Sequence, residues 1–288
     1  MNFKLQQRIL LGGGLALLAA LYFLGPTTAA KKAHGPNDGH DHAAEGAQVL
    51  DFEKLKAGAT GALSASRQQY LQGLEASVKR GDVKDQTLAV YRQLASFWKD
   101  SAVNPVLHFY YLGLASELDN TEKNLTFAAH SILGYLPYAH NQAEQVWLAN
   151  RGKELFEKAL QLNANNDSSI VGLGGTIMYG AQTKEGPMEG ILKVRQVAEK
   201  DSNNLFAQYM LGIGGLQSGQ YSRAAQRFEK VAKAQPKNLE VLFKLAEAYE
   251  LDGNKEAAIA WYKIIAQRVD IPAMQQEINK RIEQLQAK

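Results

Sequence analysis

The stretch that most constrains the fold runs over residues 239–269, LEVLFKLAEAYELDGNKEAAIAWYKIIAQRV. Leu242, Leu245, Ala246 and Tyr249 recur at i, i+3, i+4 and i+7, the spacing of an amphipathic helix. Asp252-Gly253-Asn254 interrupts the pattern with turn residues. Ala258, Trp261, Tyr262 and Ile265 then repeat it. The segment therefore reads as two antiparallel helices, each with an apolar face. A single hairpin cannot bury both faces, so it needs copies of itself as neighbours.

A copy lies just upstream. Residues 205–238, LFAQYMLGIGGLQSGQYSRAAQRFEKVAKAQPKN, match at an offset of 34 residues. Leu211-Gly212 falls on Leu245-Ala246, Gly219 on Gly253, Ala224 on Ala258, and Phe228 on Tyr262. This period and these residue types resemble the tetratricopeptide repeat (TPR). That family places a large then a small apolar residue in helix A and a glycine at the turn. Helix B carries Ala and an aromatic, often with Pro after it. Pro236 fills the proline place upstream, whereas Asp270 stands there downstream, with Pro272 two residues late. Val231 and Ile265 stand where the family usually has Ala.

The resemblance implies an all-α chain: a right-handed α-solenoid of helix hairpins with a C-terminal capping helix. Met274, Ile278, Ile282 and Leu285 supply one apolar side for that cap, over residues 272–288. Residues 167–271 read as TPR repeats and 57–166 as irregular, TPR-like ones. In the latter, helices are expected over 62–79, 84–99, 105–116, 122–135 and 142–162. Leu112-Gly113 looks like the large-small step of a helix A, and the end of 142–162 resembles a helix B. Which helices pair between 102 and 162 stays open. Leu173-Gly174 marks another helix A, followed by a turn enlarged to Gly180–Gly190 with Met188 at its tip.

The glycines in VGLGG (Val171–Gly175) and LGIGG (Leu211–Gly215) could suggest a dinucleotide-binding loop. That motif needs a preceding strand inside a βαβ unit, and no β-rich run precedes either stretch. They are read as packing glycines, where helix A crosses helix B.

The N-terminal region differs. Residues 1–8 carry Lys4 and Arg8, and residues 9–25, ILLGGGLALLAALYFLG, are uncharged. Residues 1–30 read as a signal anchor forming an N-terminal transmembrane helix. The apolar run just reaches the length of a span and exceeds a usual signal-peptide core. Cleavage after a Thr28-x-Ala30 site is the alternative. The charge balance against Lys31 and Lys32 keeps the N-terminus cytoplasmic. The expected location is the bacterial inner membrane, single-pass, with the C-terminal domain periplasmic.

Residues 31–56 read as a flexible linker. Its His34, His40 and His42, interleaved with Asp38 and Asp41, have the chemistry of a loose Zn²⁺, Ni²⁺ or Cu²⁺ site. A tether supplies no rigid outer shell to fix that geometry, so no metal site is assigned.

Composition narrows function by exclusion. A formal net charge of +3, with Lys and Arg scattered beside Glu, gives no basic stripe for nucleic acid. The chain has no cysteine, hence no disulfide or thiolate chemistry. No Gly-x-Ser-x-Gly, His-Glu-x-x-His or phosphate loop occurs, and His108, His130 and His140 are isolated. No enzyme activity and no cofactor are expected.

By register with the family, a concave groove is implied, lined by Phe206, Tyr209, Ile213 and Leu216 in one repeat. Phe243, Glu247 and Glu250 take those places in the next, and Val171, Met178 and Tyr179 in the one before. The apolar bias of this set suits a protein partner, an amphipathic helix or an extended peptide. The competing occupants are the chain's own terminal helix or a second copy. The family's carboxylate-clamp subtype needs Lys and Asn at positions held here by Tyr209, Ile213, Phe243 and Glu247. The expected function is a membrane-tethered scaffold in the cell envelope that assists assembly or maturation of other proteins. The alternative is a metal-handling protein that uses the His-containing linker, with the solenoid as docking module.

Overall fold

The structure is a computed structural model that describes residues 49–80 and 83–287. All regular structure among these residues is helical. The helices are α1 (Phe52–Gly61), α2 (Ala65–Arg80), α3 (Lys84–Ser96), α4 (Pro105–Asp119), α5 (Glu122–Tyr135), α6 (Gln142–Leu162), α7 (Asp167–Met178), α8 (Pro187–Lys200), α9 (Leu205–Gln217), α10 (Tyr221–Ala234), α11 (Leu239–Leu251), α12 (Lys255–Ala266) and α13 (Pro272–Ala287). A π-helical turn, Phe97–Ser101, separates α3 from α4, and a 3₁₀ turn, Leu136–Tyr138, ends α5. The chain divides into two compact units, one ending at Met210 and one containing Leu211–Lys288.

In the first unit α3 pairs with α4, α5 with α6, and α7 with α8. α4 leans on α5 and α6 on α7, while α4 also meets α6 and α5 meets α7. This alternation makes α3, α5 and α7 the A helices and α4, α6 and α8 the B helices. It settles the pairing left open between residues 102 and 162, and it corrects one expectation. Leu112-Gly113 belongs to a B helix, α4. Gly113 is small because the Arg151 guanidinium of α6 lies against it.

Two apolar clusters fill this unit. Leu71, Leu94, Phe97, Trp98, Leu107 and Tyr111 join α2, α3 and α4. Leu125, Ile132, Leu148, Phe156, Leu173 and Ile177, among others, join α5, α6 and α7. Between α4 and α6, Glu117 receives Arg151 through both carboxylate oxygens, at 2.5 and 3.0 Å, and Lys158 at 2.5 Å. Burial alone would raise the Glu117 pKa, but the two cations overcome it and hold the carboxyl below its ordinary value.

Asparagine organises the helix starts. Asn104, Asn141, Asn166, Asn204, Asn238 and Asn254 each accept, through the side-chain oxygen, the backbone N–H three residues on. Thr121 does the same for Asn124. Each bond satisfies a donor that a helix start leaves free.

In the second unit α10 packs on α11, α11 on α12, and α12 on α13. Gly212 of α9 meets the ring of Phe228 in α10; an added Cβ would lie 2.6 Å from that ring. Ala246 and Tyr262, the residues 34 positions later, are both fully buried. Gly219 and Gly253 turn the two hairpins with φ of +73° and +82°, a conformation side chains disfavour. The 34-residue register is therefore seen in matching parts. The glycine-rich stretches lie inside α7 and α9, as packing glycines rather than a nucleotide loop. The expected C-terminal cap is α13, whose Met274, Ile278, Ile282 and Leu285 are buried.

Other boundaries shift. The helix expected over 62–79 is preceded by α1, capped by Asp51, and starts at Ala65. The enlarged turn is shorter than expected, because α8 begins at Pro187. Gly186 leaves it with φ +63°, and proline suits the first helical position. Met188 is thus 56% exposed on the first turn of α8, not at a loop tip.

The expected inner-membrane, single-pass location is corrected. Among the described residues no helix is long and apolar enough to cross a membrane. The longest, α6 with 21 residues, carries Arg151, Lys153, Glu154, Glu157 and Lys158. The anchor expected over residues 1–30 and the histidines His34, His40 and His42 lie outside the described residues.

Candidate functional site

The residues expected to line a groove separate by burial. Val171 and Met178 of α7 are buried, and so is Ile213 of α9. α7 is apolar over nearly its whole circumference and is enclosed by α5, α6 and α8. It therefore has little face to present. Ile213 lies in the buried run Gly212–Gly215, where the glycines let α10 close on α9. These three positions are corrected from lining to core.

The remaining positions are half-buried. In the first unit they are Tyr179, Phe206 and Tyr209; in the second they are Leu216, Phe243, Glu247 and Glu250. The two acids of the second unit are engaged. Glu247 accepts from Lys244 at 2.9 Å. Glu250 accepts from the Tyr262 hydroxyl and from Arg281 Nε, each at 3.0 Å. Arg281 belongs to α13, so the terminal helix itself uses the Glu250 position.

Two residues that register did not point to complete the A-helix face of the first unit. Phe127 of α5 is 62% exposed. One turn on, the His130 ring meets Phe156 edge-on at 4.9 Å and Phe206 at 5.3 Å. His130 Nε2 lies 2.8 Å from the Ser168 hydroxyl at the start of α7. Burial lowers the His130 pKa, so the neutral ring prevails near neutral pH. Its described partners are a hydroxyl and two rings, not the carboxylate that would orient a catalytic base. A signal for Phe127 was available. Leu125, Ala128, Ala129 and Ile132 already complete the buried stripe of α5, and an aromatic off that stripe must face elsewhere.

His108 and His140 are also structural. His108 Nδ1 sits 2.9 Å from the Ala95 carbonyl, and burial outweighs that bond to lower its pKa. His140 Nδ1 sits 3.1 Å from the buried Glu144 carboxylate, which also accepts from the Tyr135 hydroxyl at 3.0 Å. No group of three or more metal-ligating side chains occurs among the described residues.

No curated protein matches the sequence. Among solved structures, the MamA protein aligns at 16% identity, over 64% of this chain and 92% of that one, with a TM-score of 0.42. YrrB, described as a TPR protein with an unusual peptide-binding site, aligns at 17% identity, over 73% and 99%, with a TM-score of 0.40. Global likeness at that level decides nothing by itself. The family comparison is local and falls on the 34-residue register described above. Residues 209–270 match the tetratricopeptide repeat model, so the repeat assignment rests on that segment.

Proposed function

We propose that the protein is a scaffold whose A-helix faces dock another protein, and that docking assists that protein's assembly or maturation. The observation that carries the reading is the aromatic face of the first unit: exposed Phe127, with half-buried Phe206 and Tyr209, on A helices of a repeat chain. α9 carries no charged residue, so its half-buried side suits apolar or aromatic side chains of a partner. Solvent-facing aromatics of this kind recur as anchors at interfaces. The second unit contributes less, because Glu250 is tied to α13 and Ile213 is buried.

Affinity capture after crosslinking in cells tests the reading, comparing wild type with Phe127→Glu plus Tyr209→Glu. Neither side chain is buried, so the variant should keep the wild-type fold. A specific protein that is captured by wild type and lost from the folded variant supports docking there. Identical partners for both would exclude this face.

A further inference from the structure

α1 is held unlike any other helix of the first unit. It has ten residues, none of them buried. Phe52, Leu55, Lys56 and Ala59 form its inward stripe at i, i+3, i+4 and i+7, and the three apolar members rest on the α2–α4 cluster. The Phe52 ring lies 4.5 Å from that of Tyr110 on α4. It also stacks on Trp147 of α6 at 5.4 Å, with the planes 4° apart. Lys56 Nζ lies 2.8 Å from Glu75 and 5.8 Å above the Tyr111 ring. The Tyr111 hydroxyl donates to the same Glu75 carboxylate at 2.9 Å.

A helix this short has little stability alone. An element without buried residues also opens at the low end of the local free-energy range. The surface beneath it presents three aromatic side chains, Tyr110, Tyr111 and Trp147, residue types enriched in binding hot spots, with the Glu75 carboxylate beside them. The stripe that fills it uses the anchor spacing of a helix laid in a groove.

We infer that the α2–α4–α6 surface is a helix-docking site, occupied here in cis by α1. It takes in its place an amphipathic helix of a partner protein with an aromatic first anchor and a Lys or Arg four residues on. The chemistry of the occupant is read from α1, which fits the site through Phe52 and Lys56. The site uses other residues than the A-helix face and does not depend on that reading. Only Ala62, Leu63 and Ser64 link α1 to α2, so α1 competes at an effective concentration on the order of millimolar. A free peptide therefore binds the wild type poorly unless α1 is weakened.

The test uses the full chain carrying Phe52→Ala and Leu55→Ala, which alter α1 and leave the site intact. Hydrogen exchange follows α1, α4 and α6, and a fluorescein-labelled peptide of residues 49–63 is titrated in. The expected result is α1 exchange about tenfold faster or more, with α4 and α6 unchanged. The peptide then binds with Kd on the order of 100 µM or tighter, and about tenfold more weakly after a further Trp147→Ala. Absence of binding at about 1 mM with α1 released overturns the proposal. So does α1 protection equal to that of α4, or a loss of protection that spreads into α4 and α6, since either makes α1 part of the core. A wild-type dimer formed by exchange of α1 overturns it in favour of a second copy.

Discussion

The Arg151 guanidinium of α6 occupies the space that a side chain at Gly113 of α4 would need: an added Cβ would fall 2.7 Å from Nη2 and 2.8 Å from Nε. Glu117 fixes the guanidinium in that place by a two-pronged bond, so Arg151 cannot simply swing away. Gly113→Ala is expected to destabilise the chain by about 1–3 kcal/mol through overpacking. Urea denaturation measures it. A change under about 0.5 kcal/mol would show that the guanidinium moves freely and that the pair does not set the α4–α6 approach.

The asparagine caps make a second prediction. Asn104→Ala and Asn254→Ala each remove one side-chain acceptor from a helix start, at 3.0 and 3.1 Å in the native chain. Each should cost about 1 kcal/mol, and Asn→Asp at the same sites should retain most of that stability. Thermal or urea unfolding of the four variants checks the ranking. Equal stability of the Ala and Asp forms would contradict it.

A pH dependence follows from His130. Burial lowers its folded-state pKa below the ordinary histidine value of 6.5, so the unfolded chain takes up the proton first. The stability from keeping the ring neutral is complete above about 6.5 and is lost as pH falls through the window beneath that value. His108 acts in the same direction. Urea midpoints should therefore drop from about pH 7.5 to about pH 5.5, and the drop should be smaller in His130→Gln, which keeps a polar partner for Ser168. A slope unchanged in the variant would remove His130 from the account.

Strain collects between α3 and α4. Val103, a β-branched residue, has φ of +44° two residues past the π-helical turn. In that turn the fully buried Trp98 has no hydrogen-bond partner for Nε1 among the described residues. The left-handed region costs a β-branched residue about 1–2 kcal/mol, and the Val103 side chain is 74% exposed, so little packing offsets it. Val103→Gly is predicted to raise stability by about 1 kcal/mol, less if the greater freedom of glycine in the unfolded chain weighs more. A lower urea midpoint for the variant would show that the valine side chain contributes packing that its exposure conceals.

Helix positions were largely legible because their signals are local. α5 and α6 occupy the expected ranges: Thr121 caps one, Asn141 starts the other, and Pro137 breaks the chain between them. The 34-residue register was legible because Gly212 has to fit the Phe228 ring, and the residues 34 positions on, Ala246 and Tyr262, are both fully buried. What sequence could not supply was pairing. Leu112-Gly113 carries the large-small pattern of an A helix, but a glycine is also small for the sake of a guanidinium 38 residues away. Groove positions failed for a related reason. Register says which way a side chain points but not how closely the next helix packs, and Val171, Met178 and Ile213 are buried. The π-helical turn was hidden because apolar spacing runs on through Phe97 and Trp98.

The A-helix face of the first unit is proposed to dock a protein. The most direct measurement is in-cell photocrosslinking with a photoreactive residue placed singly at Phe127, Tyr209, Met188 or Leu192. The first two lie on A helices. The last two are exposed on α8, a B helix. A crosslinked protein shared by Phe127 and Tyr209 and missing at Met188 and Leu192 is the predicted result. Crosslinks at the α8 positions, with none at Phe127 or Tyr209, would contradict the claim.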